Sequence, residues 1–282
     1  MNIRTDLALE RAEFCENGVS GVKIDEEKSG EITVLRMEIE SDRAAKEMKK
    51  PKGKYTTLTV PRFSENAGLD RECATFIAKE LCRLLPPKPR SVLVAGLGNT
   101  NITPDALGPK VAERIIATRH ISREMTKELG LGSLLPVSVL APGVLGQTGI
   151  ETGEIILGAA DRVEPSAVIV VDALAARSLS RLGCTVQMCD TGICPGSGVG
   201  NSRKEISERT LGVPVIAVGV PTVVDIGTLF YDIGAKKELD TDMIVTPKEV
   251  DMMIDRAAEL IAVGINKCLQ KNLSIEDIMG LI

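Results

Sequence analysis

The chain has 282 residues, 44% of them apolar but only 2% aromatic and none of them Trp, so its core must be built from Val, Ile, Leu, Ala and Met. That is the stock of buried parallel strands. Its formal charge is −5 and it has no long basic run, which leaves direct nucleic-acid binding and anionic-membrane binding without electrostatic support. No window approaches the roughly 18 consecutive apolar residues that would span a bilayer, and the amino terminus lacks the apolar core of a signal peptide. A soluble, cytoplasmic protein is expected.

Met1 to Gly53 is the most charged stretch and reads as a peripheral amino-terminal segment, with a strand predicted at Glu31–Glu38 and a helix over Ser41–Lys50. Pro51 and Gly53 break that helix, and the basic run Lys46–Lys54 reads as a solvated loop. Residues 54–282 are expected to form the core of a single α/β domain. Thr56–Val60 is a β-branched strand, and Asp70–Leu85 is an amphipathic helix stopped by Pro86 and Pro87. From there strands are predicted at Ser91–Ala95, Val137–Leu140, Glu154–Leu157, Ala167–Val171, Cys184–Met188 and Val213–Val218. Helices are predicted near Pro109–Thr118, around Ala173–Arg181 and over Pro247–Gln270, the last capped by Thr246. Such alternation argues for an α/β fold, a mostly parallel twisted sheet with helices on both faces and an amino-terminal elaboration.

Two apolar runs stop abruptly and each delivers one acid just beyond it: Asp105 after Ser91–Gly98, and Asp172 after Ala167–Val171. Ligands of parallel sheets bind in the crevice outside the carboxyl ends of the strands, where both acids are expected. Asp105 with Thr103 and Pro104 would also suit a helix start. Asp172 directly follows five apolar residues, where a charge is costly to bury without a partner or a task. Two neighbouring carboxyls titrate apart, so one serves as general acid and the other as general base. Such a pair can activate water against a peptide carbonyl without Ser, Cys or metal.

Gly96, Gly98 and Asn99 make a tight turn that lets substrate or backbone approach closely, although a βα turn needs such residues anyway. Position 101 is Asn, so the turn does not complete a dinucleotide fingerprint, and no nicotinamide cofactor is expected. The glycine-dense run Asp190–Asn201, with Gly192 and Gly196, could cradle a phosphate, line an extended-peptide cleft or merely turn. His120 is the sole histidine and reads as a surface residue. Neither a G-x-S-x-G elbow nor an H-E-x-x-H pair occurs, and seven scattered cysteines without CxxC spacing fit a reducing compartment rather than a zinc site. Cys194 lacks a neighbouring His to make it a nucleophile.

Six segments in order carry a resemblance to a known family: RTDLALE at Arg4–Glu10, GLGNTNITPDALGP at Gly96–Pro109 and PGVLGQTGIET at Pro142–Thr152, followed by VIVVDALAARS at Val168–Ser178, DTGICPGSGVGN at Asp190–Asn201 and LGVPVIAVGVPTVVD at Leu211–Asp225. They resemble the germination protease of spore-forming bacteria. The resemblance implies an endopeptidase that begins the degradation of small acid-soluble spore proteins in the spore core, with an aspartate pair at Asp105 and Asp172. It implies a fold similar to the hydrogenase maturation proteases, whose nickel-dependent recognition commonly involves a histidine that has no counterpart here. It also implies a zymogen with a self-removed prosegment and a homotetramer; in this sequence Met1, Asn2 and Ile3 precede the RTDLALE motif. Gly96, Gly98, Asn99, Gly192 and Gly196 are expected to shape the substrate cleft, with no cofactor and no metal. The alternatives are a metal-dependent maturation-type peptidase or metal-binding factor using the same acids, and a nucleotide-binding module using the PGSGVG loop.

Overall fold

A computed structural model of the chain describes residues 5–13, 19–65, 70–128, 132–200, 203–232 and 243–282. Its frame is a mixed sheet, and the described strands are β1 (Val22–Ser29), β2 (Ile32–Ile39), β3 (Gly53–Thr59), β4 (Val92–Gly96), β5 (Val137–Leu140), β6 (Ala167–Ala176), β7 (Thr185–Cys189), β8 (Val215–Asp225) and the short β9 (Ile244–Val245). They lie in the order β1-β2-β3-β7-β8-β6-β4-β5, with β9 added to the end of β8. The α/β class is as expected. The parallel arrangement holds where β8, β6, β4 and β5 adjoin, whereas β1, β2, β3, β7 and β8 pair antiparallel.

Alternation of side chains sorts the core onto two faces. Val92 and Val94 of β4, with Ile169 and Val171 of β6, meet the Arg71–Leu84 and Val250–Leu269 helices through Ile77, Leu81, Ile254 and Ile261. Leu93 and Ala95, with Val168 and Val170, turn to the other face and meet Ile156 and Ala160 of the Thr152–Val163 helix. Every residue of β4 and β8 is buried, which is why β4 and the Val215–Val220 part of β8 are continuous apolar runs rather than alternating.

Several expectations are corrected. Glu154–Leu157 lies inside the Thr152–Val163 helix, whose buried residues Ile156 and Ala160 fall four apart, the helical period. Ala173–Ala176 continues β6 instead of starting a helix, because β8 runs beside it through a bulge at Leu174 and Ala175; only Leu179–Arg181 coils, as a 3-10 turn. The last long helix begins at Val250, and Thr246 donates its hydroxyl to the Thr222 carbonyl (2.9 Å) rather than capping it. The amino-terminal segment is not peripheral throughout: Leu7 and Ala8 are fully buried, and β1 and β2 extend the sheet from β3. Cys82 and Cys268, expected to stay reduced, stand paired as a disulfide between the Arg71–Leu84 and Val250–Leu269 helices, with Cα atoms 5.8 Å apart.

Candidate active site

β4 ends at Gly96, and the chain then winds back on one of its own acids. Gly98 has φ +118°, and a Cβ there would sit 2.0 Å from the carbonyl oxygen of Asp105, so both conformation and space require glycine. The Asn99 N–H donates to that carbonyl (3.1 Å) and to Oδ2 of Asp105 (2.9 Å). Asp105 thus closes the 3-10 turn Thr103–Asp105 with its carboxylate held by the strand-end turn. Gly96 does a different job from the one expected. A Cβ on it would meet the Gly108 carbonyl oxygen at 2.0 Å, and one on Gly108 would meet those of Leu97 and Val171 at 2.2 and 2.5 Å. The two glycines let the Leu107–Ala112 helix lie directly on β4 and β6.

Asp172 sits within β6, not beyond its end as expected, because β6 runs on to Ala176. The neighbouring β4 stops at Gly96, paired with Val171, so Asp172 is the first residue past that end and opens into the same crevice. It is 5% exposed, and its Oδ1 accepts the Ala173 N–H at 2.9 Å. On its other side stands Gly219 of β8, where a Cβ would press on the Leu174 side chain at 2.6 Å.

Asp105 and Asp172 line one cavity of about 460 Å³ together with Gly98, Asn99 and Gly196. Gly96 is not among its lining residues, and Gly192 borders an adjoining cavity of about 330 Å³ instead. Asp6, Glu151 and Arg203 complete the charged lining and were not singled out by sequence reasoning. Asp6 was visible only as part of the RTDLALE segment; its approach to β6 joins residues far apart in the chain, and no local pattern signals that. Ile102 and Ile244 line the same cavity although 53% and 47% exposed, giving it an apolar rim.

Burial pushes the Asp172 carboxyl well above the usual carboxylate range, and the charges of Asp105 and then Asp6 push it further, against the Ala173 N–H. Burial also raises Asp105, while the Asn99 N–H opposes the rise. Each carboxyl thus has one N–H donor that favours its anion, and Asp172 alone carries the added push of neighbouring charges. Cys194 has its thiol raised by partial burial and by Glu205, the reverse of what an activated nucleophile needs. His120 is exposed. Among the described residues, no group of three or more His, Cys, Asp or Glu side chains is arranged to hold a metal ion, and no helix is long and apolar enough to cross a membrane.

Fold and site together define an α/β protein with two acids, one within β6 and one in the turn after β4, lining one cleft. The family model described as germination protease matches residues 3–236. The chain is 40% identical over 323 aligned residues to the germination protease of Clostridium acetobutylicum, covering 98% of each. It is 42% identical to that of Caldanaerobacter subterraneus subsp. tengcongensis, covering 100% of this chain and 98% of the relative. With the Bacillus velezensis germination protease the identity is 43%, over 99% of this chain and 77% of the relative. Among solved structures, the [NiFe] hydrogenase maturation protease HycI from Thermococcus kodakarensis aligns at 21% identity and a TM-score of 0.39, over 66% of this chain and 98% of that one. The chain belongs to the germination protease family, and its role is that of a protease in spore germination.

Proposed function

We propose that the protein is an endopeptidase that begins the degradation of small acid-soluble spore proteins, with Asp105 and Asp172 dividing the proton transfers of peptide hydrolysis. The observation that carries this reading is that both acids line one cavity, where burial raises both carboxyls and the charge of Asp105 raises that of Asp172 further. Asp105, its anion supported by the Asn99 N–H, takes a proton from a water as that water's oxygen bonds to the scissile carbonyl carbon. Asp172 gives its proton to the carbonyl oxygen, so the tetrahedral intermediate forms as a neutral diol. On collapse the C–N bond breaks, Asp105 returns its proton to the departing nitrogen, and Asp172 recovers one from the hydroxyl that becomes the new carboxyl group.

An extended, unfolded segment suits the cleft, since Ile102 and Ile244 offer exposed apolar surface at the rim and the Gly196 turn forms one wall. Family membership supports extending the reading to a spore-core location, a self-removed prosegment and a homotetramer, the last measurable by sedimentation equilibrium. The decisive assay uses a purified small acid-soluble spore protein with Asp105→Asn and Asp172→Asn prepared separately. Each is expected to lower kcat by about 100-fold or more, the range of a lost general acid or base. Near-normal cleavage by either variant removes that residue from the chemistry.

A further inference from the structure

Every hydrogen-bonding group of Asn99 but one is engaged by the turn that holds Asp105. Its N–H donates to the Asp105 carbonyl (3.1 Å) and to Oδ2 (2.9 Å), and its own carbonyl accepts the Ile102 N–H (3.1 Å). Its side-chain Oδ1 accepts the Asn101 N–H at 3.0 Å and Gln147 Nε2 at 2.7 Å. A backbone N–H can only donate, so the end of the amide that meets Asn101 must be the oxygen. That leaves Nδ2, with two N–H donors and no partner among the described residues, on a side chain that lines the cavity.

Gln147 is fixed in the same way from the opposite wall. Its Oε1 accepts the Val144 N–H (3.4 Å), so Nε2 is the end turned to Asn99. Gly143, with φ +72°, keeps clear of that bond, since a Cβ there would come within 3.0 Å of Oε1. Val144, Leu145 and Gly146 line the cavity, and Gln147 ties this wall to the turn that carries Asp105.

We propose that Asn99 is a substrate-binding residue whose Nδ2 donates to a main-chain carbonyl of the bound peptide beside Asp105, and that Gln147 is the positioning residue that holds the amide for it. The inference rests on the reading of this cleft as the peptide site. An extended chain presents a carbonyl acceptor at every residue, the partner that a nitrogen with only donors to offer requires. Asp105 as an anion presents acceptors only, and the Asn99 amide supplies a donor next to it.

The test measures kcat and KM separately on a purified small acid-soluble spore protein, with the melting temperature, for wild type, Asn99→Ala, Gln147→Ala, the double variant and Asp105→Asn. Asn99→Ala retains the main-chain N–H that holds Asp105, so KM should rise about tenfold, the worth of one hydrogen bond, with kcat within about twofold of wild type. Gln147 is exposed and acts only through Asn99, so Gln147→Ala should raise KM about threefold at an unchanged melting temperature. In the double variant KM should be no higher than in Asn99→Ala alone, because Gln147 then has nothing left to hold. A purely turn-forming Asn99 would instead lower the melting temperature and leave KM where it was. An unmoved KM in Asn99→Ala overturns the proposal, and KM increases that multiply in the double variant overturn the part given to Gln147. If Asn99→Ala does not fold, Gln147→Ala decides, and an unmoved KM there overturns the proposal. An inactive Asp105→Asn with KM unmoved in the other variants removes only the role of Asn99, whereas normal cleavage by all four removes the aspartate pair and this inference together.

Discussion

A carboxyl at the sixth position of β6, walled by apolar neighbours, is a cost to the fold as well as an instrument. The Asp172 carboxyl is raised chiefly by burial, so the native state binds its proton more tightly than the unfolded chain does. The associated stability is fully present below the ordinary aspartate value of about 4 and is lost as the pH climbs through the raised native value. Asp172→Asn is neutral at every pH and escapes that loss. Thermal melts should therefore coincide near pH 4 and separate as the pH rises, the variant melting about 2 °C or more higher at pH 8; a gap that does not change with pH would contradict this. At this scale the two acids were legible in the sequence because a charge placed directly against a buried apolar run needs a reason. The glycines were legible only as a set. Gly98, which makes room for Asp105, and Gly96, which makes room for Gly108, look alike in a βα turn, and only the backbone they face separates them.

Elements were misread where local pattern and tertiary partner disagree. The alanine-rich ALAA after Asp172 has helix propensity, yet pairing with β8 draws it into the sheet. The charged run Val22–Ser29 has no strand pattern of its own and becomes β1 because Gly30, with φ +56°, folds it back along β2. The exchange between sheet and helix is clearest at Arg36 of β2, which donates through Nε and Nη2 (both 2.8 Å) to Glu80 of the Arg71–Leu84 helix, a side chain with no exposed surface. The Arg83 guanidinium adds one further bond to Glu80. Removing Arg36 leaves the buried Glu80 carboxylate with the Arg83 guanidinium alone, so Arg36→Ala should cost about 3 kcal/mol in urea unfolding. Pairing it with Glu80→Leu should recover much of that loss, and a single-variant cost within about 0.5 kcal/mol would show the pair to be idle.

Over the whole molecule the sheet divides its tasks. The parallel half brings strand ends together at the cavity, and the antiparallel half carries the Arg71–Leu84 helix and, through Gln187 of β7, helps seat the amino-terminal segment. The α/β class and the parallel half were legible because β4, β6 and β8 are apolar runs separated by turn residues. The antiparallel half and the central place of residues 5–13 were not, since long-range pairing leaves no period in the sequence. The disulfide between Cys82 and Cys268, 186 residues apart, was hidden for the same reason. What the molecule assembles from these distant pieces is two acids lining one cleft, and the proposal for them is a difference in protonation. The most direct measurement of it is a carboxyl-carbon NMR titration of the aspartate-labelled protein, with Asp105→Asn and Asp172→Asn used to assign the two signals. Asp172 should remain protonated through neutral pH while Asp105 is already ionised; both signals titrating together in the ordinary carboxylate range would contradict the account.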